Sequence, residues 1–126
     1  MSTVMIVGAT RGIGLELTKQ YADEGNTVIA CARDLNAASQ LDELASGLEN
    51  IKIEELDIAE ASSIESASGR IGKESIDSII IVAGYVGGMP ENQTIDNIDI
   101  DEWHRTLNIN TIGPLLVAKA FKENLS

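Results

Sequence analysis

Short apolar runs alternate along the chain with longer segments in which apolar residues recur every three or four positions. The first run, residues 3–7, is continuous, the last contains Ile79-Ile80-Ile81-Val82 unbroken, and both are rich in Val and Ile. Such runs are typical of strands that are buried on both faces, as in a parallel sheet. The pattern predicts four strands, at residues 3–7, 27–31, 51–56 and 76–82.

The segments between these runs have the spacing of amphipathic helices. The first follows a group of glycines and ends at Gly25, a residue typical of a helix C-terminus. The second, residues 36–48, places Leu41, Leu44 and Leu48 on one face, and the third is residues 60–71. Alternating strands and helices require right-handed crossovers between parallel strands. We therefore predict an α/β fold, a doubly wound parallel sheet of the Rossmann type with helices on both faces.

The segment after the fourth strand is predicted to be mainly helical. Residues 99–125 have helical spacing in two parts, and Pro114 lies between them. A proline inside a helix removes a hydrogen bond and clashes with the preceding turn, so we expect the helix to end or kink there. The length of 126 residues is that of one domain, with four strands and the helical segment after the fourth.

Three glycines follow the first strand at the point where the first helix begins. Gly8, Gly12 and Gly14 have the spacing Gly-x3-Gly-x-Gly. Gly8 permits a tight turn, Gly12 leaves room for a phosphate beside the backbone, and Gly14 lets the helix pack close to the sheet. The N–H groups at the helix start can then bind a pyrophosphate. A glycine-rich turn can also be a mere connection, but its place at the first strand–helix junction favours dinucleotide binding.

Two arginines indicate which dinucleotide is bound. Arg11 lies at the helix N-terminus, where a cation is unfavourable unless an anion is also present. Arg33 follows the second strand, where the adenosine ribose lies in this architecture and where an arginine suits a 2′-phosphate. These positions favour NADP over NAD. Asp34 leaves NAD open, because an acid there could bind the ribose hydroxyls if the strand extended further.

Four short motifs together match those of one enzyme family. They are the turn Thr10-Arg11-Gly12-Ile13-Gly14, the pair Asp57-Ile58, the pair Ala83-Gly84, and Asn110. On these motifs the chain resembles the short-chain dehydrogenase/reductase family over essentially its whole length. Within the family it loosely resembles the small carbonyl-reductase and C-factor-like members.

The resemblance implies a role for each motif. The glycine turn would hold the pyrophosphate, and Asp57 with Ile58 would contact the adenine. Ala83 and Gly84 would lie along the nicotinamide ribose. Asn110 matches the asparagine of the catalytic tetrad and would support a proton-relay water. In a complete enzyme, hydride would pass between the nicotinamide and a carbonyl or alcohol.

The chain departs from the family pattern at two places. Ile81 and Val82 stand where the family has an Asn-Asn pair, so the side-chain hydrogen bonds of that pair are absent. Neither Tyr21 nor Tyr85 has a lysine four positions later, so the sequence contains no Tyr-x3-Lys, the family's acid–base pair. We therefore expect the NADP-binding part of an oxidoreductase, partial relative to the family fold and inactive alone. The alternative is a truncated dinucleotide-binding or regulatory module without catalysis.

The charge balance narrows the range of partners. Nine basic residues against 20 acidic ones give a net charge of −11, which disfavours nucleic acid and anionic membranes as partners. No apolar run is long enough to cross a membrane and no secretory signal is evident, so we expect a cytoplasmic protein. Cys31 is expected in the core, and His104 at the surface or at an interface.

The carboxylates near the fourth helical segment do not predict a metal site. Asp96, Asp99, Asp101 and Glu102 lack the glycine and the terminal glutamate of a calcium-binding loop. They indicate a solvated loop and the start of a helix. No metal is therefore expected.

The last two helical segments are predicted to take part in self-association. Their apolar faces have no cover if the fourth strand lies at an open edge, and exposed edges and apolar patches favour pairing. We expect a homo-oligomer with the segments from Trp103 to Phe121 at the interface.

Overall fold

The computed structural model describes residues 1–125, which contain a four-stranded parallel sheet. The strands are β1 (Thr3–Val7), β2 (Thr27–Ala32), β3 (Ile51–Glu55) and β4 (Ser78–Ile81). Their order across the sheet is β3-β2-β1-β4, so β1 lies between β2 and β4. The predicted doubly wound, Rossmann-type α/β fold is confirmed.

Helices cover both faces of this sheet. They are α1 (Gly12–Asp23), α2 (Ser39–Ser46), α3 (Ala61–Ile71) and α5 (Gly113–Phe121), whereas α4 (Ile100–Leu107) has no buried residue. Side chains alternate between the two faces along β1. Val4 and Ile6 pack with Leu41 of α2 in one core, whereas Met5 packs with Phe121 of α5 in the other. The sheet is therefore the middle of three layers.

The second helix is shorter than the periodicity of residues 36–48 predicts. Leu35–Ala37 form a 3₁₀ turn, and α2 begins only at Ser39 and ends at Ser46. Asp34 accepts a hydrogen bond from the Asn36 N–H at 2.9 Å, which fixes this turn at the end of β2. The apolar spacing extends beyond the α-helix because leucines on the flanking turns, such as Leu48, also pack against the core.

The fourth strand is likewise shorter than the apolar run at residues 76–82. Ile76 lies before β4 and forms an isolated parallel bridge with Leu125, donating its N–H to the Asn124 carbonyl at 2.8 Å. At the other end, the Val82 and Ala83 N–H groups both donate to the Val7 carbonyl, at 2.9 and 3.1 Å. The ladder ends at this shared acceptor, which hydrophobicity alone does not predict.

The predicted boundary at Pro114 is wrong. A π-helical turn, Asn108–Ile112, joins α4 to α5, and Pro114 lies in the first turn of α5. A proline fits there because the first turn of a helix does not need its N–H. The interruption of the α-helix therefore precedes the proline.

Several single-residue expectations can be checked by burial. Cys31 is fully buried in β2, as predicted, and burial raises the pKa of its thiol to about 12. His104 is exposed, as predicted. Phe121 is fully buried (0% exposed), so the predicted exposed face of the last helices does not extend to it. Within residues 1–125, no helix is both long enough and apolar enough to span a membrane.

Candidate functional site

A cleft of about 1160 Å³ lies at the carboxyl edge of the sheet. Because the strands are parallel, the turns that follow them all meet at this edge. Ten of the twelve predicted site residues line the cleft: Gly8, Thr10, Arg11, Gly12, Ile13, Arg33, Asp57, Ile58, Ala83 and Gly84. The other two, Gly14 and Asn110, are not among the residues that line it. The fold therefore brings together residues that are up to 76 positions apart (8 to 84) in the sequence.

The glycine turn brings α1 directly against the end of β1. Gly8 has a φ of 94°, a left-handed conformation that side chains disfavour, and a Cβ there would lie 2.8 Å from the Ala83 nitrogen. A Cβ on Gly14 would lie 1.8 Å from the Gly8 carbonyl oxygen. Gly12 has a φ of 55° and open space around it. The close-packing role predicted for Gly14 is confirmed, and Gly12 leaves the backbone accessible.

The N-terminus of α1 presents hydrogen-bond donors to the cleft. Arg11 is the N-cap, and its side chain makes no capping bond. The first bond into the helix comes from the Leu15 N–H, which donates to the Arg11 carbonyl at 3.2 Å. The earlier N–H groups have no intrahelical acceptor, and they lie at the positive end of the helix dipole. Gly12 and Ile13, which line the cleft, belong to this first turn. Such an N-terminus can bind an anion.

Two arginines of the cleft wall are available to the same anion. Arg11 and Arg33 are both exposed, and within residues 1–125 neither forms an ion pair. The contrast is Arg70, which also lies near Arg33 but is paired with Glu54. The two arginines place positive charge beside the accessible N–H groups of α1, in a cleft that is also lined by Asp34, Asp57 and Glu60.

Asp34 is engaged in a local turn. Its Oδ1 accepts the Asn36 N–H, and it is the N-cap of the 3₁₀ turn that follows β2. The strand ends at Ala32, one residue later than predicted, so Arg33 is the first residue beyond the strand. Both Arg33 and Asp34 line the cleft.

The turn after β3 forms another part of the cleft wall. Asp57 donates its N–H to Ser63 Oγ at 2.8 Å, and its Oδ1 accepts the Ala59 N–H at 2.9 Å. Ile58 is buried, and Asn108 Nδ2 donates to the Ala59 carbonyl at 2.8 Å. The end of α4 is thereby tied to this turn.

Asn110 fixes the turn after β4. Its Oδ1 accepts the Tyr85 N–H at 2.8 Å, and its Nδ2 donates to the Tyr85 carbonyl at 2.7 Å. Asn110 belongs to the π-helical turn between α4 and α5. Where the family's Asn-Asn pair is replaced by Ile81 and Val82, backbone bonds to the Val7 carbonyl connect the strands. The wall at Ala83 and Gly84 is therefore held by one amide side chain and by the backbone.

A cluster of three side chains at this end of the cleft was not predicted from the sequence. The Tyr85 hydroxyl donates a hydrogen bond to Glu102, and the Arg105 guanidinium lies 4.6 Å from the centre of the Tyr85 ring. The bond to Glu102 raises the pKa of the Tyr85 hydroxyl. Because Tyr85 directly follows the predicted site pair Ala83-Gly84, its place beside the cleft could have been predicted. Nothing in the sequence connects Glu102 and Arg105 to the cleft, because they come from a helix that follows a long loop.

The acidic residues before α4 have the structural role that was predicted. Asp99 is the N-cap of α4, and its Oδ1 accepts the Asp101 and Glu102 N–H groups at 3.0 and 3.3 Å. These residues therefore start a helix, as expected.

The fold and the cleft together define a class, a Rossmann-type α/β protein with a ligand cleft at the carboxyl edge of its sheet. The family model for short chain dehydrogenases matches residues 2–126 of the chain. The chain belongs to the short-chain dehydrogenase family.

Individual relatives agree with this assignment. An uncharacterized oxidoreductase of Schizosaccharomyces pombe is 34% identical over 117 residues, which are 92% of this chain and 46% of the relative. A carbonyl reductase from Pseudomonas aeruginosa PAO1, solved in complex with NADP, is 32% identical with a TM-score of 0.90, over 100% of this chain and 57% of that one. An NADPH-bound carbonyl reductase from chicken fatty liver is 30% identical with a TM-score of 0.85, over 97% and 47%. The chain spans about half the length of the relatives it matches.

Proposed function

We propose that this chain binds NADP in the cleft, as the cofactor-binding part of a short-chain oxidoreductase. The observation that carries the proposal is the uncapped N-terminus of α1, which opens on the cleft beside Arg11 and Arg33, neither of them ion-paired within residues 1–125. A helix N-terminus with accessible backbone binds phosphate groups, and the arginines supply the charge. The NADP complexes of the related carbonyl reductases support the same ligand.

Each part of the cleft suits one part of the dinucleotide. The first turn of α1 and Arg11 would hold the pyrophosphate, with Gly8, Thr10, Gly12, Ile13 and Gly14 shaping the turn. Arg33 would bind the 2′-phosphate. Asp57 and Ile58 would contact the adenine, and Ala83 and Gly84 would lie along the nicotinamide ribose.

The preference for NADP over NAD rests on the two residues after β2. NAD-specific sites use an acid to bind the ribose hydroxyls, and Asp34 is the acid available here. Asp34 accepts the Asn36 N–H through one of its two carboxylate oxygens, whereas Arg33 is exposed and unpaired within residues 1–125. A 2′-phosphate beside Arg33 would gain a charge-assisted hydrogen bond.

A titration of the purified chain with NADP and NAD tests this proposal. NADP at about 100 times its dissociation constant should stabilise the fold by about 2.7 kcal/mol, so thermal unfolding and calorimetry both report binding. Arg33→Ala should weaken NADP about tenfold, the effect of one charge-assisted hydrogen bond, and leave NAD unchanged. Lys73→Ala, which removes an exposed charge before β4, is the control for long-range electrostatics. Equal affinity of the wild type for both dinucleotides would contradict the role of Arg33.

The chemistry proposed for the complete enzyme is carbonyl reduction or alcohol oxidation. NADP, when bound, supplies or accepts hydride. The role of Asn110 in supporting a proton-relay water stays a prediction, and its two amide atoms bond to Tyr85 in this structure. The second candidate is a dinucleotide-binding module without catalysis. Oxidation of NADPH by the chain in the presence of simple ketones would rule out the module, whereas binding without turnover agrees with both candidates, because the cofactor-binding part is expected to be inactive alone.

We also propose that the chain forms a homo-oligomer through α4 and α5. Exposed apolar side chains follow one another along these helices with spacings of three, four, five and three: Ile100, Trp103, Leu107, Ile112 and Leu115. The spacing of five falls on the π-helical turn, which has more residues per turn than an α-helix. The five side chains therefore keep to one face, and a second copy offers the same face in a two-fold interface.

Light scattering over a range of concentrations tests this interface. Leu107→Glu should shift the chain to monomer, because it places a charge in the centre of the apolar face. Gln20→Glu on α1 adds the same charge away from that face and should leave the mass unchanged. A wild-type chain that is monomeric at all concentrations would contradict the proposal.

A further inference from the structure

Three arginines line the cleft, and the proposed cofactor accounts for only two of them. Arg11 and Arg33 are assigned to its phosphate groups, and Arg105 is the third. Within residues 1–125, Arg105 also forms no ion pair, although Glu102 lies one helical turn before it. An arginine that lines a cleft without an acidic partner is available to a ligand.

The position of Arg105 is fixed by Tyr85. The guanidinium carbon lies 4.6 Å from the centre of the Tyr85 ring, a cation–π distance. Asn110 holds the Tyr85 backbone by two hydrogen bonds, and Glu102 accepts the bond from its hydroxyl. Stacking on the ring leaves the N–H groups at the edge of the guanidinium plane available for hydrogen bonds. Arg105 is therefore held beside the residue that directly follows Gly84, at the proposed nicotinamide end.

The charges around Arg105 limit what it can bind. His104, from the same turn of α4, also lines the cleft. Glu102 is the nearby acid, and its carboxylate faces the Tyr85 hydroxyl. Arg105 supplies one positive charge, which offsets a singly charged carboxylate, whereas a doubly charged phosphate would carry one charge more than this guanidinium offsets. A carboxylate also matches the two parallel N–H groups of a single guanidinium.

We propose that Arg105 binds a carboxylate of the substrate, so that the substrate class is carbonyl compounds or alcohols that carry a carboxylate. This inference rests on the proposed NADP-binding function, because the cofactor would bring the reacting carbon to this end of the cleft. Arg105 acts in it as a specificity-determining residue, and Tyr85 acts as a positioning residue that keeps the guanidinium in place.

The test compares levulinate with methyl levulinate, which differ by the charge of one carboxylate. Both are titrated by NMR into the chain saturated with oxidised NADP, so that a ketone cannot be turned over. The proteins are the wild type, Arg105→Gln, Arg105→Lys and Glu102→Gln. NADP binding to each is measured first. A wild type that fails to bind NADP refutes the proposed function, whereas equal NADP binding by all four isolates the role of Arg105.

We expect the wild type to prefer levulinate by about fivefold, the contribution of one exposed ion pair. Arg105→Gln should abolish the preference, Arg105→Lys should retain part of it, and Glu102→Gln should increase it. The Arg105 side-chain N–H signal should shift with levulinate and stay in place with the ester. Equal binding of acid and ester, an unchanged preference in Arg105→Gln, or no levulinate binding in NADP-saturated wild type would each overturn the proposal.

Discussion

The two ends of the cleft are built by different means. At the β1–α1 turn, backbone packs on backbone, because Gly14 lies against the Gly8 carbonyl and the Gly8 and Ala9 N–H groups donate to the Cys31 carbonyl. At the β4–α4 loop, side chains from a distant helix hold the chain, through the bonds of Asn110 and Glu102 to Tyr85. The first end is specified by neighbouring residues and has little freedom to move. The second depends on tertiary contacts, so single substitutions should affect it less severely.

The largest effect is expected from Gly14→Ala. The added Cβ would lie 1.8 Å from the Gly8 carbonyl oxygen and 3.2 Å from the Ala9 Cα, so backbone must shift to admit it. We expect a loss of about 3 kcal/mol in the free energy of unfolding, the upper part of the range for overpacking. Urea unfolding followed by circular dichroism measures it.

A matched glycine serves as the control for that substitution. Gly69 lies inside α3, is exposed, and has open space where its Cβ would be. Gly69→Ala should stabilise the chain by about 0.5–1 kcal/mol, because alanine favours helix. If Gly14→Ala were as harmless as Gly69→Ala, the close contact between α1 and β1 would not exist in solution.

The next largest effect is a change of stability with pH that arises from Cys31 of β2, the strand beside the β1–α1 turn. Burial raises the pKa of the Cys31 thiol to about 12, from an ordinary value of 9.0. The unfolded chain therefore loses the thiol proton at lower pH than the folded chain. The contribution to stability is complete below pH 9.0 and is lost as the pH rises through the range up to about 12.

Unfolding of the wild type and of Cys31→Ala at about pH 8 and about pH 10 isolates this contribution. We expect the wild type to lose about 1 kcal/mol more than the variant between the two conditions, on the linkage of one proton. The comparison uses the pH dependence of each protein, so the cavity left by the smaller side chain cancels. The same loss in both proteins would show that the thiol is accessible in the folded state.

At the β4–α4 loop, Asn110→Ala is expected to have a similar or smaller effect on the free energy of unfolding. The variant loses both hydrogen bonds to the Tyr85 backbone, but these bonds lie at an exposed position, where water replaces them in part. We expect a loss of about 1 kcal/mol in stability, with faster amide exchange in residues 84–89. Thr111→Ala, at the exposed neighbouring position, should change stability by less than about 0.5 kcal/mol. Equal exchange in both variants would mean that Asn110 does not hold the loop.

The difference between the two ends of the cleft also explains which features the sequence could predict. Thr3–Val7 and the glycines after it are local signals, since a buried parallel strand and a tight turn need those residue types wherever they occur. The fold and the glycine turn were accessible on that basis, whereas Asp57, Ile58, Ala83 and Gly84 were identified from the family resemblance. Arg33 was also found from a local signal, its position directly after a strand.

The features that were missed depend on contacts between distant segments. The bridge between Ile76 and Leu125 and the stacking of Arg105 on Tyr85 join residues that are 49 and 20 positions apart. The interruption of the helix was predicted at Pro114 and not at the π-helical turn, because a proline is visible in a sequence and a change in hydrogen-bond spacing is not. Periodicity describes which face a residue occupies and leaves open which partner it meets there.

The smallest expected effect is on the pKa of Tyr85, which reports on the bond that holds the second end of the cleft. Its hydroxyl donates to Glu102, so loss of the proton would leave two anions in contact, and the pKa is raised. Tyrosinate absorbance follows this ionisation, and Tyr21→Phe leaves Tyr85 as the only tyrosine in the chain. In that background we expect Tyr85 to ionise at higher pH in the folded than in the unfolded chain. Its contribution to stability is therefore present below its ordinary pKa and is lost as the pH rises above it.

Glu102→Gln in the same background should lower the pKa of Tyr85, because the neutral amide still accepts the hydrogen bond but does not repel the tyrosinate. Glu65→Gln on α3 removes a charge of the same kind at an exposed position and should leave the titration unchanged. If Glu102→Gln left the pKa of Tyr85 unchanged, α4 would not hold the loop through this bond. The second end of the cleft would then depend on Asn110 alone, and Arg105 would lose the support that fixes it beside the cleft.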